Sequence, residues 1–301
     1  MKYLLFTLLL IYWPQQQEHK IGLDLEIGNT YTQRYSFDFE MSQRTDEEAV
    51  SGNSTINVVL AFKVLDYKKG VYTMETTYKK LEMELSGGDM TTSVSSESGD
   101  TKIDQLLKAM VNLPFTVKMS RTGEVLKVSG IKKALNDALK AASMKSVNDQ
   151  VETSINVKDL LSKEAFSGVI ELMMAIFPEQ AYVNIGDSLT SEVEAEVGVA
   201  TKIITTFKLV SVDEKAYNIA AESELVIDDN NIGMEKPDDG EIVHDIEGNL
   251  KGTYLVDPQT NWIISADLKI QLSGTINVIL SNGDIDLSLG MDLAMKMKVG
   301  E

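Results

Sequence analysis

From Trp262 to Leu280 the chain reads WIISADLKIQLSGTINVIL, and every even-numbered position except Gly274 is apolar. The odd positions between them are mostly Ser, Asp, Lys, Gln, Thr and Asn. Asn282-Gly283 follows, and the alternation resumes on odd numbers through Ile285, Leu287, Leu289, Met291, Leu293, Met295 and Met297. Strict period-two alternation marks a strand with one buried and one wet face. Asn-Gly between two such runs is a hairpin turn. A typical strand is about 5–6 residues long, and these runs are far longer. A one-faced sheet of that length cannot stay flat on a small core, so it must curl around something apolar.

Working outward, the same period recurs in Tyr31, Tyr35, Phe37, Phe39 and Met41, and again in Ile56, Val58, Leu60, Phe62 and Val64. Tyr72, Met74 and Tyr78 alternate on even numbers and Leu81, Met83 and Leu85 on odd ones, so a β-bulge is expected between them. Stretches 203–210 and 217–227 read as strands. Ser51-Gly52-Asn53, Ser86-Gly87-Gly88-Asp89 and the acidic stretch 228–241 read as loops. Three helices interrupt the strands. Thr101 and Asp104 form a capping box ahead of Ile103, Leu106, Leu107, Met110 and Val111, stopped by Pro114. Gly130 precedes the stripe Ile131, Ala134, Leu135, Ala138, Leu139 and Ala142. Ser162 opens a third helix with Phe166, Val169, Ile170, Met173, Met174 and Phe177, stopped by Pro178. The expected fold is α+β, mostly β: a long curled antiparallel sheet, half-barrel-like, packed on amphipathic helices. One β-rich domain is expected over 21–301. A weak repeat pairs Gly28-Asn29-Thr30 and Phe62-Lys63-Val64 with Gly186-Asp187-Ser188 and Phe207-Lys208-Leu209. It reads either as a duplication into halves 21–157 and 158–301 or as the general likeness of β-meanders.

Lys2, the apolar run Tyr3–Trp13 and the polar stop at Pro14-Gln15-Gln16-Gln17 read as a secretory signal peptide over 1–17, with a first core strand as the alternative. The run is too short for a membrane-spanning helix, which needs about 20 apolar residues. The mature chain is therefore expected to be periplasmic or extracellular and not membrane-spanning. The 301 residues carry a net charge of −18, which disfavours nucleic acid and anionic membrane surfaces as partners. Cysteine is absent, which removes thiol catalysis, thiolate metal sites and disulfides, and suits a bacterial envelope.

No catalytic motif stands out. His19 and His244 are the only histidines, and no G-x-S-x-G, H-E-x-x-H, G-x-G-x-x-G or P-loop pattern occurs. No enzyme activity, cofactor or metal is expected. Asp228-Asp229-Asn230-Asn231-Ile232-Gly233 begins like a calcium loop, but Ile232 replaces an oxygen ligand and Asp239 stands where a bidentate Glu belongs, so a plain acidic turn is the better reading. Asn53-Ser54-Thr55 is a glycosylation-like triplet with no meaning in a bacterial host. The Met stripe at Met291, Met295 and Met297, with Met110, Met173 and Met174 on helices, suits an adaptable apolar surface or an ordinary core.

Leu113-Pro114-Phe115-Thr116, Thr122-Gly123-Glu124-Val125, Phe177-Pro178-Glu179, Val183 and Gly186-Asp187-Ser188 lie between the two meanders. In that order the chain resembles a family of uncharacterised exported bacterial proteins, a domain of unknown function common in Bacteroidota-type envelopes. Leu189 stands where that family usually has Trp. The resemblance implies an envelope location and no catalytic residue. The architecture is similar to half-barrel lipid and lipoprotein carriers. Three functions compete: a carrier for a lipid-like apolar ligand, a structural or protein-interaction component of the envelope, and an outer-membrane barrel. For the carrier, the expected lining is Met173, Met174, Leu287, Leu289, Met291 and Leu293, with the helices meeting the sheet across a cavity.

Overall fold

The computed structural model describes residues 18–300 apart from 46–47, 89, 145–160, 175, 178–181, 198, 228–239 and 281–284. The expected leader 1–17, the calcium-like loop and Asn282-Gly283 lie outside those residues. A short ribbon pairs β1 (His19–Lys20) with β8 (Tyr182–Val183). Every other strand among the described residues belongs to one 12-stranded antiparallel sheet. Its first half comprises β2 (Thr30–Arg44), β3 (Ala49–Lys68), β4 (Val71–Gly87), β5 (Met90–Ser95), β6 (Phe115–Ser120) and β7 (Val125–Ser129). Its second half comprises β9 (Ser188–Val197), β10 (Val199–Val212), β11 (Tyr217–Ile227), β12 (Gly240–Val256), β13 (Ile263–Leu280) and β14 (Ile285–Gly300). The spatial order is β7-β6-β4-β3-β2-β14-β13-β12-β11-β10-β9, with β5 beside the far end of β4. The first and last long strands, β2 and β14, are thus neighbours in the middle of the sheet.

Register explains the single apolar face. Leu268 faces Met297, Ile270 faces Met295, Leu272 faces Leu293 and Ile276 faces Leu289 across β13 and β14. On the far side of β14, Met297 faces Phe37 and Met295 faces Phe39. The expected bulge in β4 is present: Leu60 faces Tyr78 while Val59 faces Lys80, leaving Lys79 as the extra residue. Two glycines let the sheet curl sharply between β12 and β13. A Cβ at Gly252 would lie 2.2 Å from the Asp267 carbonyl oxygen, and one at Gly274 would lie 2.0 Å from that of Asp245. Ser51-Gly52-Asn53 is not a loop. It lies inside β3, and the turn falls earlier, where Thr45 N–H donates to the Glu48 carbonyl at 2.8 Å.

Helix α1 (Lys102–Met110) lies between β5 and β6, and α2 (Ile131–Ala141) and α3 (Lys163–Met174) connect the two halves. The capping box of α1 forms as read: the Thr101 hydroxyl accepts the Asp104 N–H and the Asp104 carboxylate accepts the Thr101 N–H. Edges β7 and β9 do not pair with each other among the described residues, and α3 lies against both. Its Phe166, Ile170, Met173 and Met174 are buried in the common core. Glu171 turns to the β7 edge and accepts the Val125 N–H at 3.2 Å, which occupies a donor that would otherwise invite another strand.

One end of the curled sheet is sealed by a strap, residues 21–29. Leu23 N–H donates to the Arg121 carbonyl and Asp24 N–H to the Thr260 carbonyl, each at 2.8 Å. Tyr72 accepts the Leu25 N–H at 3.1 Å and donates to the Leu23 carbonyl at 3.0 Å. Ile21, Leu23 and Leu25 are buried beneath it. The two halves use matching devices here. Gly28 N–H donates to Val64 O and Val64 N–H to Asn29 O; Gly186 N–H donates to Leu209 O and Leu209 N–H to Asp187 O. Both glycines have positive φ, 93° and 96°. A bulge follows each time, leaving Leu65 in β3 and Val210 in β10 as the unpaired residue.

Candidate functional site

The apolar face of the sheet outruns the material that covers it. Near the strap its side chains are fully buried: Tyr35, Phe62, Met74 and Tyr254 have no more than 1 % of their surface exposed. Toward the opposite end, at the β2–β3 turn, the cover thins. Phe39 and Ile56 are half-buried, and Met41 is 42 % exposed. On the same face Met41 stands opposite Gly52, Gly52 opposite Gly87, and Gly87 opposite Met90. Two glycines in one row leave bare backbone between two methionines, which makes a shallow apolar trough. Neither glycine is demanded by packing, since an added Cβ would come no nearer than 3.4 Å at Gly52 and 3.5 Å at Gly87. Half-buried Leu85 and Leu289 and exposed Leu287 extend this surface.

The six residues expected to line a ligand divide accordingly. Met173, Met174, Met291 and Leu293 belong to the packed core, with Leu289 against it. Met173 and Met174 have no exposed surface, and the register that buries Met291 and Leu293 packs them on Gly274, Leu272 and Met41. Leu287 alone is exposed, at 37 %. Phe39, Met41, Gly52 and Gly87 were not expected. The alternation placed Phe39 and Met41 on the apolar face, but the neighbour relation of β2 with β14 links residues about 250 apart in sequence, and no local pattern carries it.

The titratable groups near the core are structural. Burial pushes the phenols of Tyr35, Tyr78 and Tyr254 well above their ordinary range, so all three stay protonated. Burial also raises the Glu171 carboxyl; the Val125 N–H opposes that rise and Glu124 adds to it. His244 occupies a position on the apolar face opposite Ile276, and His19 packs edge-on against Tyr217 at 5.6 Å between ring centroids. Among the described residues no three His, Cys, Asp or Glu side chains converge to hold a metal ion. None of the described helices is long and apolar enough to cross a membrane.

The chain belongs to a family of unknown function, DUF6263, whose model matches residues 69–263. No curated protein matches it. Among solved structures it is similar to lipovitellin, in a structure described as "Lipid-protein interactions in lipovitellin", at 11 % identity and a TM-score of 0.48 over 92 % of this chain. The chain spans about a quarter of the lipovitellin chain, 25 %. It is also similar to an outer membrane channel from Pseudomonas putida F1, at 8 % identity and a TM-score of 0.24, covering 92 % of this chain and 97 % of the channel. At these identities and TM-scores neither likeness bears on function.

Proposed function

We propose that this chain is an exported, non-enzymatic binding protein for an apolar, lipid-like ligand, seated in the trough formed by Met41, Gly52, Gly87 and Met90. The observation that carries the reading is the uncovered apolar trough itself, floored by glycine and flanked by flexible methionine. The export half of the reading rests on Lys2 and the apolar run Tyr3–Trp13. A transmembrane barrel needs its apolar band outside and its polar residues inside. Here the arrangement is reversed: along β13, Leu268, Ile270 and Leu272 are buried while Asp267, Lys269 and Gln271 face solvent.

Fatty acids of increasing length, titrated into delipidated protein by calorimetry, test the ligand. Each added methylene should strengthen binding about threefold to fourfold, the equivalent of about 0.8 kcal/mol. Met41→Asp, at an exposed position, should abolish the series without lowering the melting temperature. A flat response to chain length, with no lipid carried by protein from the native host, would favour a structural or protein-binding role for the same surface. N-terminal sequencing from that host tests export; intact Met1 in a cytosolic fraction would refute it.

A further inference from the structure

The polar face of the same strands carries a second feature. A cleft of about 630 Å³ opens on it across five neighbouring strands, β12, β13, β14, β2 and β3. Adjacent strands of a sheet are twisted relative to one another, and the cleft lies on the solvent-facing side of these five. Ten of the fourteen lining residues fall into two rows, and Gly248, Leu272, Leu293 and Met41 from the row between them complete the lining. One row runs Asn249, Gln271, Ala294, Glu40, Asn53, each directly opposite the next. The other row runs Glu247, Ser273, Asp292, Ser42, Ser51 in the same way.

The composition of this grid is selective. Amides supply paired donors and acceptors, hydroxyls supply either, and carboxylates supply acceptors. Neither lysine nor arginine occurs among the ten positions. The next row holds Lys251, Lys269 and Lys296 side by side across three strands. Like charges directly opposite one another are unfavourable in a sheet, yet three lysines in a row border the carboxylate-bearing rows of a chain with a net charge of −18. Lys251 is paired with Glu222, but Lys269, Lys296 and Arg44, which pairs with Asp292, offset the local negative potential and weaken the cleft as a cation site. An anion would meet the carboxylates of Glu40 and Glu247 in the lining, while Asp292 is engaged by Arg44 at 3.1 Å. A neutral ligand whose groups each both donate and accept hydrogen bonds fits what remains. With strands about 4.8 Å apart, the rows reach about 19 Å, the dimension of a short chain rather than a single ring.

We propose that this cleft binds a neutral, hydroxyl-rich oligosaccharide. The small, half-buried Ala294 sits at the centre of its row and leaves room for the sugar rings. The two polar rows point away from the face that bears the apolar trough, and Met41 borders both.

Calorimetry on the full chain with maltotetraose, cellotetraose and chitotetraose tests the assignment, with spermine as a cationic probe. Saturable binding of at least one tetrasaccharide is expected, unchanged between low and high salt because the ligand is uncharged. Asn249→Ala with Gln271→Ala should weaken it about tenfold or more, and Ala294→Arg, which fills the cleft, should abolish it. Both variants alter solvent-facing positions, and unchanged melting confirms that they fold. Three results would overturn the proposal: no saturable binding of any tetrasaccharide, binding that both variants leave intact, or spermine binding alone with a steep salt dependence.

Discussion

At the scale of single residues, burial without a partner decides the largest effects. Met173 has no exposed surface and packs in the common core. Met173→Asp places a carboxylate there and is expected to cost about 3–5 kcal/mol, read as a large loss in denaturation midpoint; a variant that melts like the parent would contradict the buried position. Glu171 gives a pH-dependent case. Its carboxyl is raised by burial, more than the Val125 N–H lowers it. The folded chain therefore holds that proton where the unfolded chain has released it. The group's contribution to stability is present below the unfolded value, about 4.3, and is lost as pH rises through the folded one. Gln keeps the acceptor for Val125 and cannot ionise. Melting curves of Glu171→Gln should match the parent in acid and exceed it at neutral pH; equal curves throughout would show that the carboxylate is fully solvated.

At the scale of elements, the strap shows how few bonds hold a segment that lacks regular structure. Tyr72 both donates to and accepts from it. Tyr72→Phe should cost about 1–3 kcal/mol and speed hydrogen exchange at the Leu25 amide; unchanged exchange would mean that the Arg121 and Thr260 contacts suffice. The same segment illustrates what the chain reveals locally. Helices α1 and α2 were legible because stripe and cap coincide, as at Thr101 and Asp104. Strands β13 and β14 were legible because alternation runs the length of both, interrupted only at Gly274. Strand β12 was not. Its apolar-face positions include Gly248 and Gly252, and Gly252 is glycine because β13 approaches too closely for a side chain. The contact that erases the pattern exists only in three dimensions. Strands β6 and β7 are short and β9 is rich in Glu, so they too escaped notice. The apolar trough was missed for a related reason: its floor is two glycines, which carry no hydropathy signal.

At the scale of the whole molecule, the chain runs from the middle of the sheet out to one edge and then from the other edge back to the middle. The first half runs out from β2 to β7, α3 covers both edges, and the second half returns from β9 to β14. Most pairings within each half are between consecutive strands, but the seam between β2 and β14 joins the two ends. A chain ending at residue 284 lacks the 16 residues of β14 and Glu301, and so loses the strand that joins the halves. It is expected to elute as aggregate in gel filtration; a monomeric, cooperatively melting product would show that each half closes without the other. The seam also has a consequence during biosynthesis. From the moment β2 leaves the ribosome until β14 follows, its free side is an open template that β14 alone fills among the described strands. The nascent polypeptide thus carries its central strand unguarded while every strand between the two is made, a condition that favours capture by a holdase before folding begins.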